Sequence, residues 1–258
     1  MIDLKYIFGL PPEKAIEYFK SKGFAISWDW YDIWQEAHAK AFTVAKVTRM
    51  DILEDIRNSI QKALKEGTTL QQFKKDLLPT LARKGWGPSG VDMETMKLAE
   101  PWRMKTIYEV NMQTALNVGR YKFDIANVDN RPYWMYVALR DSKTRPAHAA
   151  LNGKVFRYDD PFWNSFYPPN GFRCRCRVRA VSRQDIKEYG LDIESSEGRM
   201  DKVEMLVSKK TGELVEVARY TDPFTGYKIS PDVGWDYNPG KAAWTPDMKG
   251  YDSDIRKL

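Results

Sequence analysis

The chain has 258 residues, 43% hydrophobic and 29% charged; this is one large domain or two small ones with enough core to fold without staples, and it excludes a wholly disordered chain. No apolar run approaches the ~18 residues that a membrane span needs, and Met1-Ile-Asp-Leu-Lys-Tyr6 opens with neither a basic segment nor a long apolar stretch, so no secretory signal is expected. The net charge of +6 is concentrated: residues 131–190 hold 12 Lys/Arg against 5 Asp/Glu, and residues 191–258 hold 10 against 13. Such a block suits a polyanion or an acidic protein surface, or serves solubility alone.

Up to residue 126 the chain reads as helix. Pro11-Pro12-Glu13 starts one helix and Gly23 stops it. Trp30, Ile33, Trp34, Ala37, Ala41, Val44 and Ala45 predict a second helix face from Asp29. Ile52, Ile56, Ile60 and Leu64 recur every four residues before Gly67, and Thr68 or Thr69 caps a helix through Leu70, Phe73, Leu77, Leu78 and Leu81. Gly85 to Gly90 is a loop by composition, and a longer helix runs from about Pro101 to Phe123.

The period changes at Arg131-Pro132. Tyr133–Leu139 predicts a strand, Pro146 opens a short helix through Leu151 with Thr144 as its N-cap, and Asn152-Gly153 is a turn. Lys154–Phe156 predicts a short strand and residues 159–170 an aromatic loop with one helical turn. A strand over Phe172–Val181 follows, then a helix capped by Ser182 and ending at Gly190. Val203–Val207 and Leu214–Ala218 flank a hairpin turn with Gly212, and the rest is an extended tail anchored by Trp235, Tyr237 and Trp244. The expected fold is α+β: a helical region over 1–98, a small mostly antiparallel sheet with short helices over 99–190, then a hairpin and tail over 191–258.

The chemistry concentrates in Phe172-Arg-Cys-Arg-Cys-Arg-Val-Arg-Ala180. In a strand this alternation puts Phe172, Cys174, Cys176, Val178 and Ala180 on a buried face. Arg173, Arg175, Arg177 and Arg179 share the other face, about 6.8 Å apart. Aligned guanidiniums repel unless an anion lies across them. They are therefore candidates for DNA phosphate or an acidic partner, or for pairing with Asp141, Asp159, Asp160 or Asp185. Lys143, Lys154 and Arg157 are the alternative basic patch.

The only cysteines are Cys174 and Cys176, and the only histidines are His38 and His148. A disulfide within Cys174-Arg175-Cys176 closes a small strained ring, so reduced thiols in a cytoplasmic setting are expected. These thiols are either buried apolar side chains or, with His148 and a fourth ligand such as Asp141, a zinc site. His148, three residues after Arg145, is either a structural histidine or an acid–base group for phosphodiester cleavage with Arg145 and Asp141. His38 reads as structural. There is no phosphate-binding glycine loop, no G-x-S-x-G and no H-E-x-x-H.

The blocks Asp141-Ser-Lys-Thr-Arg145-Pro-Ala-His148, Leu151-Asn-Gly153, Asp159-Asp-Pro-Phe-Trp163 and Tyr167-Pro-Pro-Asn-Gly-Phe-Arg-Cys-Arg-Cys-Arg177 resemble the MuF family of phage minor head, or head morphogenesis, proteins. The resemblance is tight over residues 100–182 and extends to Gly234-Trp-Asp-Tyr-Asn-Pro-Gly240. It implies a low-copy capsid protein acting in head morphogenesis and in DNA packaging or ejection. The implied place is the capsid interior near the portal, after assembly in the bacterial cytoplasm. The implied partners are the portal protein, the major capsid or scaffold protein, and packaged double-stranded DNA bound without sequence preference; no membrane and no cofactor is implied. Asp141, Arg145, His148, Gly153, Cys174 and Cys176 carry the motif, and no catalytic role transfers to any of them. The expectation is therefore a non-enzyme. The residues alone also leave open a nuclease or toxin-like enzyme using His148, and a plain DNA-binding module.

Overall fold

The computed structural model describes residues 12–33, 35–86 and 101–243. Trp34, residues 87–90 of the expected loop and the expected anchor Trp244 lie outside them. The architecture is α+β. Helix α1 (Glu13–Ser21) has Glu13 in its first turn and Lys20 in its last, both favourable to the helix dipole, and buries Ala15, Tyr18 and Phe19. It ends before Gly23, which instead enters a two-residue strand, β1 (Gly23–Phe24).

The long second helix does not form. Asp32 Oδ2 accepts from the amides of Trp28 and Asp29 at 2.7 and 2.8 Å, and this local turn competes with helix. Only α2 (Gln35–Lys40) remains, followed by β2 (Ala41–Phe42), which pairs in parallel with β1. Helix α3 (Met50–Glu66) buries Ile52, Ile56, Ile60 and Leu64, as the four-residue spacing predicts. Gly67 closes it at φ 67°, a left-handed conformation that costs glycine nothing, with its N–H on Ala63 O. Thr69 caps α4 (Leu70–Arg83) by accepting from Gln72 N at 3.3 Å.

Helix α5 (Pro101–Ile125) is the spine. Met104, Ile107, Ala115 and Val118 complete an aliphatic core with α1, α3 and α4. A Cβ on Gly119 would sit 3.0 Å from Ala15 N, so glycine permits the close approach of α1 to α5.

Beyond α5 a second core is built on a four-stranded sheet of β3 (Tyr133–Val137), β4 (Val155–Arg157), β5 (Arg177–Val181) and β6 (Ile193–Glu194), in the order β5-β3-β4-β6. β3 pairs antiparallel with both β4 and β5; β6, which the sequence did not announce, pairs parallel with β4. Short helices α6 (Pro146–Ala150), α7 (Phe162–Phe166) and α8 (Arg183–Glu188) connect the strands, and Ser182 with Asp185 forms a capping box on α8. The predicted hairpin is longer than expected, β7 (Met200–Leu206) with β8 (Leu214–Thr221), and β9 (Lys228–Ile229) adds a third strand. The expected extended tail folds back. Trp235 and Tyr237 are buried, and α9 (Pro239–Ala243) packs on α5 and α2, with Gly240 against the Tyr121 ring.

Candidate functional site: a histidine–cysteine cluster beside an arginine edge

The predicted strand over Phe172–Val181 forms only from Arg177. Cys174 N bonds back to Gly171 O at 3.1 Å, and Arg173 takes φ 59°, so residues 171–174 turn rather than extend. Burial still alternates from Cys174 to Arg179, but Phe172, expected inside, is 37% exposed and meets Trp30 and Trp235 edge-on.

The turn carries Cys174 beside Cys176, and α6 brings His148 to both. Each sulfur lies 3.5 Å from His148 Nδ1, and all three side chains are buried. The contact from Cys176 holds the Cys174 thiol well below its usual range, while that contact and burial push Cys176 up. Gln113 and Asn117 of α5 donate to Cys176 O at 3.0 and 3.2 Å. Behind the sulfurs, the Tyr136 hydroxyl donates to Asn170 Oδ1 at 3.0 Å. α6 is opened by Pro146 with Arg145 at the cap position. Thr144, expected to be the cap, instead turns its hydroxyl onto Leu139 O. Gly153 sits at φ 87°, and its N–H bonds Tyr136 O at 2.8 Å, closing the turn that returns the chain to β4.

Asp141 does not join the cluster. Its carboxylate takes both terminal nitrogens of Arg175 at 2.7 and 2.6 Å and accepts from Lys143 N at 3.0 Å. The hydrogen bond from Arg175 holds its carboxyl well below the usual range. The carboxylate facing Arg145 is instead Asp232, 3.2 Å from Nη2, while Arg145 Nη1 lies 3.4 Å from His148 Nε2. Burial raises the Asp232 carboxyl above its usual range, partly offset by the Arg145 charge. A Cβ at Gly171 would overlap Asp232 Oδ2 and Arg145 Nη1, at 2.3 and 2.5 Å. Asp232, Tyr136 and Asn170 are site residues not expected from the sequence; the one signal there is Gly171 beside Asn170, at a place with no room for a side chain.

The four arginines do not form a uniform row. Arg173 Nε and Nη2 donate to Thr106 Oγ1 at 3.0 and 2.8 Å, and Arg175 is held by Asp141. Arg177 and Arg179 are exposed on β5, and neither has an ion-pair partner among the described residues. Arg179 lies over the Tyr189 ring at 5.7 Å, and burial together with the Arg177 charge lowers the pKa of neighbouring Arg120. The alternative patch is broken up. Lys154 is buried between Glu194 and Asp222 at 3.0 and 2.6 Å, and Arg157 pairs with Asp159 at 3.0 Å. His38 sits apart, near Trp235.

Within this α+β fold, the short helix α6 and the CxC turn meet at one buried histidine. Residues 54–179 match the model of the family described as Phage Mu protein F like. The chain belongs to that family. It is 44% identical to capsid assembly protein F of Escherichia phage Mu, over 100% of this chain and 60% of that protein. It is 40% identical to the Mu-like prophage FluMu F protein of Haemophilus influenzae, over 90% of this chain and 56% of that protein. The chain thus spans about 60% of the length of the curated relatives it matches. The likeness extends well before residue 100, beyond the tight resemblance expected over residues 100–182. No solved structure matches the chain.

Proposed function

We propose that this chain acts in phage head morphogenesis as a minor head protein without catalytic activity. It works in the capsid interior near the portal, with the portal protein and the major capsid or scaffold protein as partners, and it meets packaged DNA during packaging or ejection. The head role is supported by the family match and by a relative named for capsid assembly. Two free, buried cysteines suit assembly in a reducing bacterial cytoplasm. The DNA contact is carried by one observation: Arg177 and Arg179 are exposed on one strand edge, Arg177 beside Arg120, and neither is in an ion pair among the described residues.

The test is DNA affinity against salt. Each phosphate neutralised adds about 0.9 to the log–log slope on duplex DNA. Arg177→Gln with Arg179→Gln is expected to lower that slope by up to about 1.8, whatever the DNA sequence. Arg175→Gln is expected to leave it nearly unchanged, because Asp141 already neutralises that guanidinium. A comparable loss from Arg175→Gln, or none from the Arg177 and Arg179 pair, overturns the DNA assignment. Co-purification with the neighbouring portal protein and detection of the chain in purified particles test the head role separately.

A further inference from the structure

We propose that His148, Cys174 and Cys176 hold a tetrahedral divalent ion of the zinc class through Nδ1 and the two Sγ atoms. The three ligand atoms lie within 4.8 Å of one another, and all three residues are buried. A tetrahedral ion bound to sulfur at about 2.3 Å and to imidazole nitrogen at about 2.0–2.1 Å sets the sulfur and nitrogen about 3.5–3.6 Å apart. Both sulfur–nitrogen distances here are 3.5 Å. A hydrogen bond accounts for them less well. Neutral Nδ1 carries one proton, which points at one sulfur and favours unequal contacts, whereas an ion sits between all three ligands. Two thiolates and an imidazole are also the donor set that selects zinc over the hard oxygen-seeking cations.

The ligands are held before any ion arrives. Cys174 is set by a turn with a left-handed residue, an arrangement that a free strand does not need. The Cys174 N–H is held by Gly171 O, and α5 fixes the Cys176 carbonyl. Charge closes as well: binding releases both thiol protons, and two thiolates neutralise the divalent ion, so the buried site carries no net charge.

No fourth His, Cys, Asp or Glu joins the set among the described residues. The fourth position therefore falls to water. A cavity of about 350 Å³ borders His148, Cys174 and Cys176 and is rimmed by Lys143, Arg145 and Arg175. Arg145 has a defined part. Its guanidinium only donates, so its contact with Nε2 fits a ring whose proton is on Nδ1. An ion on Nδ1 moves that proton to Nε2 and breaks the contact with Arg145, whose Nη2 stays on the Phe172 carbonyl and Asp232. Asp232, the carboxylate held on Arg145, is the acceptor assigned to the Nε2 proton, the usual kind of partner for a metal-bound histidine.

The experiment is metal analysis of the folded full chain, prepared without a metal-binding tag, followed by replacement of the ion with cobalt. One zinc per chain is expected, and cobalt should give thiolate charge-transfer absorption with the intense visible bands of a four-coordinate ion. Zinc should also shield both thiols from alkylation. Cys174→Ser and Cys176→Ser should each weaken zinc binding by on the order of a hundredfold or more. Asp232→Asn should keep the cobalt spectrum and weaken binding about 10–100-fold; unchanged affinity overturns the part given to Asp232. If the serine variants fail to fold, the wild-type cobalt spectrum and alkylation rates decide alone. A folded wild-type chain that takes up no stoichiometric zinc and shows no charge-transfer band overturns the site.

Discussion

In the N-terminal core the buried side chains are mostly aliphatic, arrive at intervals of four along α3 and α4, and close on one long helix. In the sheet core they are mostly aromatic. Trp134 alone meets the rings of Tyr121, Tyr158, Trp163 and Tyr167. The difference extends to polar groups. The sheet region ties several buried polar groups to distant partners: Lys154 to Glu194 and Asp222, Tyr136 to Asn170, the Cys176 carbonyl to Gln113 and Asn117. The helical region leaves Lys22 buried with no carboxylate partner among the described residues. One core is held by volume; the other is held by shape and by specified pairs. Specified pairs are what a site that must hold three ligand atoms in register requires.

The largest expected effect separates the two kinds of packing. Trp134→Ala removes the ring at the centre of the aromatic cluster and should cost about 3–5 kcal/mol, while Ile56→Val should cost about 0.5–1.5 kcal/mol. Chemical denaturation of both variants measures the contrast, and equal losses would remove it. The next effect breaks a specified pair. Lys154→Ala leaves Glu194 and Asp222 buried without their cation, which should cost about 3 kcal/mol. Adding Glu194→Gln and Asp222→Asn should return most of that, because the penalty comes from the stranded charges rather than from the lost lysine.

The same contrast decides what could be read in advance. The helices α3, α4 and α5 were legible because each announces itself within a few residues: a four-residue repeat, a threonine cap, a glycine stop. The Asn152-Gly153 turn and the Ser182 cap were legible for the same reason. The failures share one cause, which is that the deciding contact lies elsewhere in the chain or competes locally. The helix expected from Asp29 gives way to a turn made by Asp32 and to pairing between β1 and β2. The strands β6 and β9 are two residues long and exist only through their neighbours. At the site, alternation correctly placed both cysteines inward, yet the predicted strand opens with a turn, because Cys174 closes back onto Gly171, and pairing starts only at Arg177. Asp141 was an attractive fourth ligand by proximity in sequence, but the structure gives it to Arg175. Asp232 carried no local signal at all, since only the folded-back tail brings it to Arg145.

The smallest expected effect tests the unpaired side of the comparison through pH. Burial lowers the pKa of Lys22 from 10.5 to about 7, and no charge offsets it. Between about pH 7 and 10.5 the unfolded chain keeps this proton and the folded chain does not, so the unfolded state binds more protons. Stability should therefore rise with pH across that window, by at most about 1.4 kcal/mol per unit from this group. Below pH 7 both states are protonated, and the full cost of burying the ammonium is present. Lys22→Met keeps much of the side-chain volume and removes the charge, so it should stabilise the chain at pH 7 by on the order of 2 kcal/mol. Its advantage should shrink as pH approaches 10.5. Denaturation of both proteins at pH 7 and pH 10 provides the measurement. A Lys22→Met chain that is no more stable than wild type at pH 7, or whose advantage does not change with pH, would mean that Lys22 finds a compensating partner and that the helical core is as carefully paired as the sheet core.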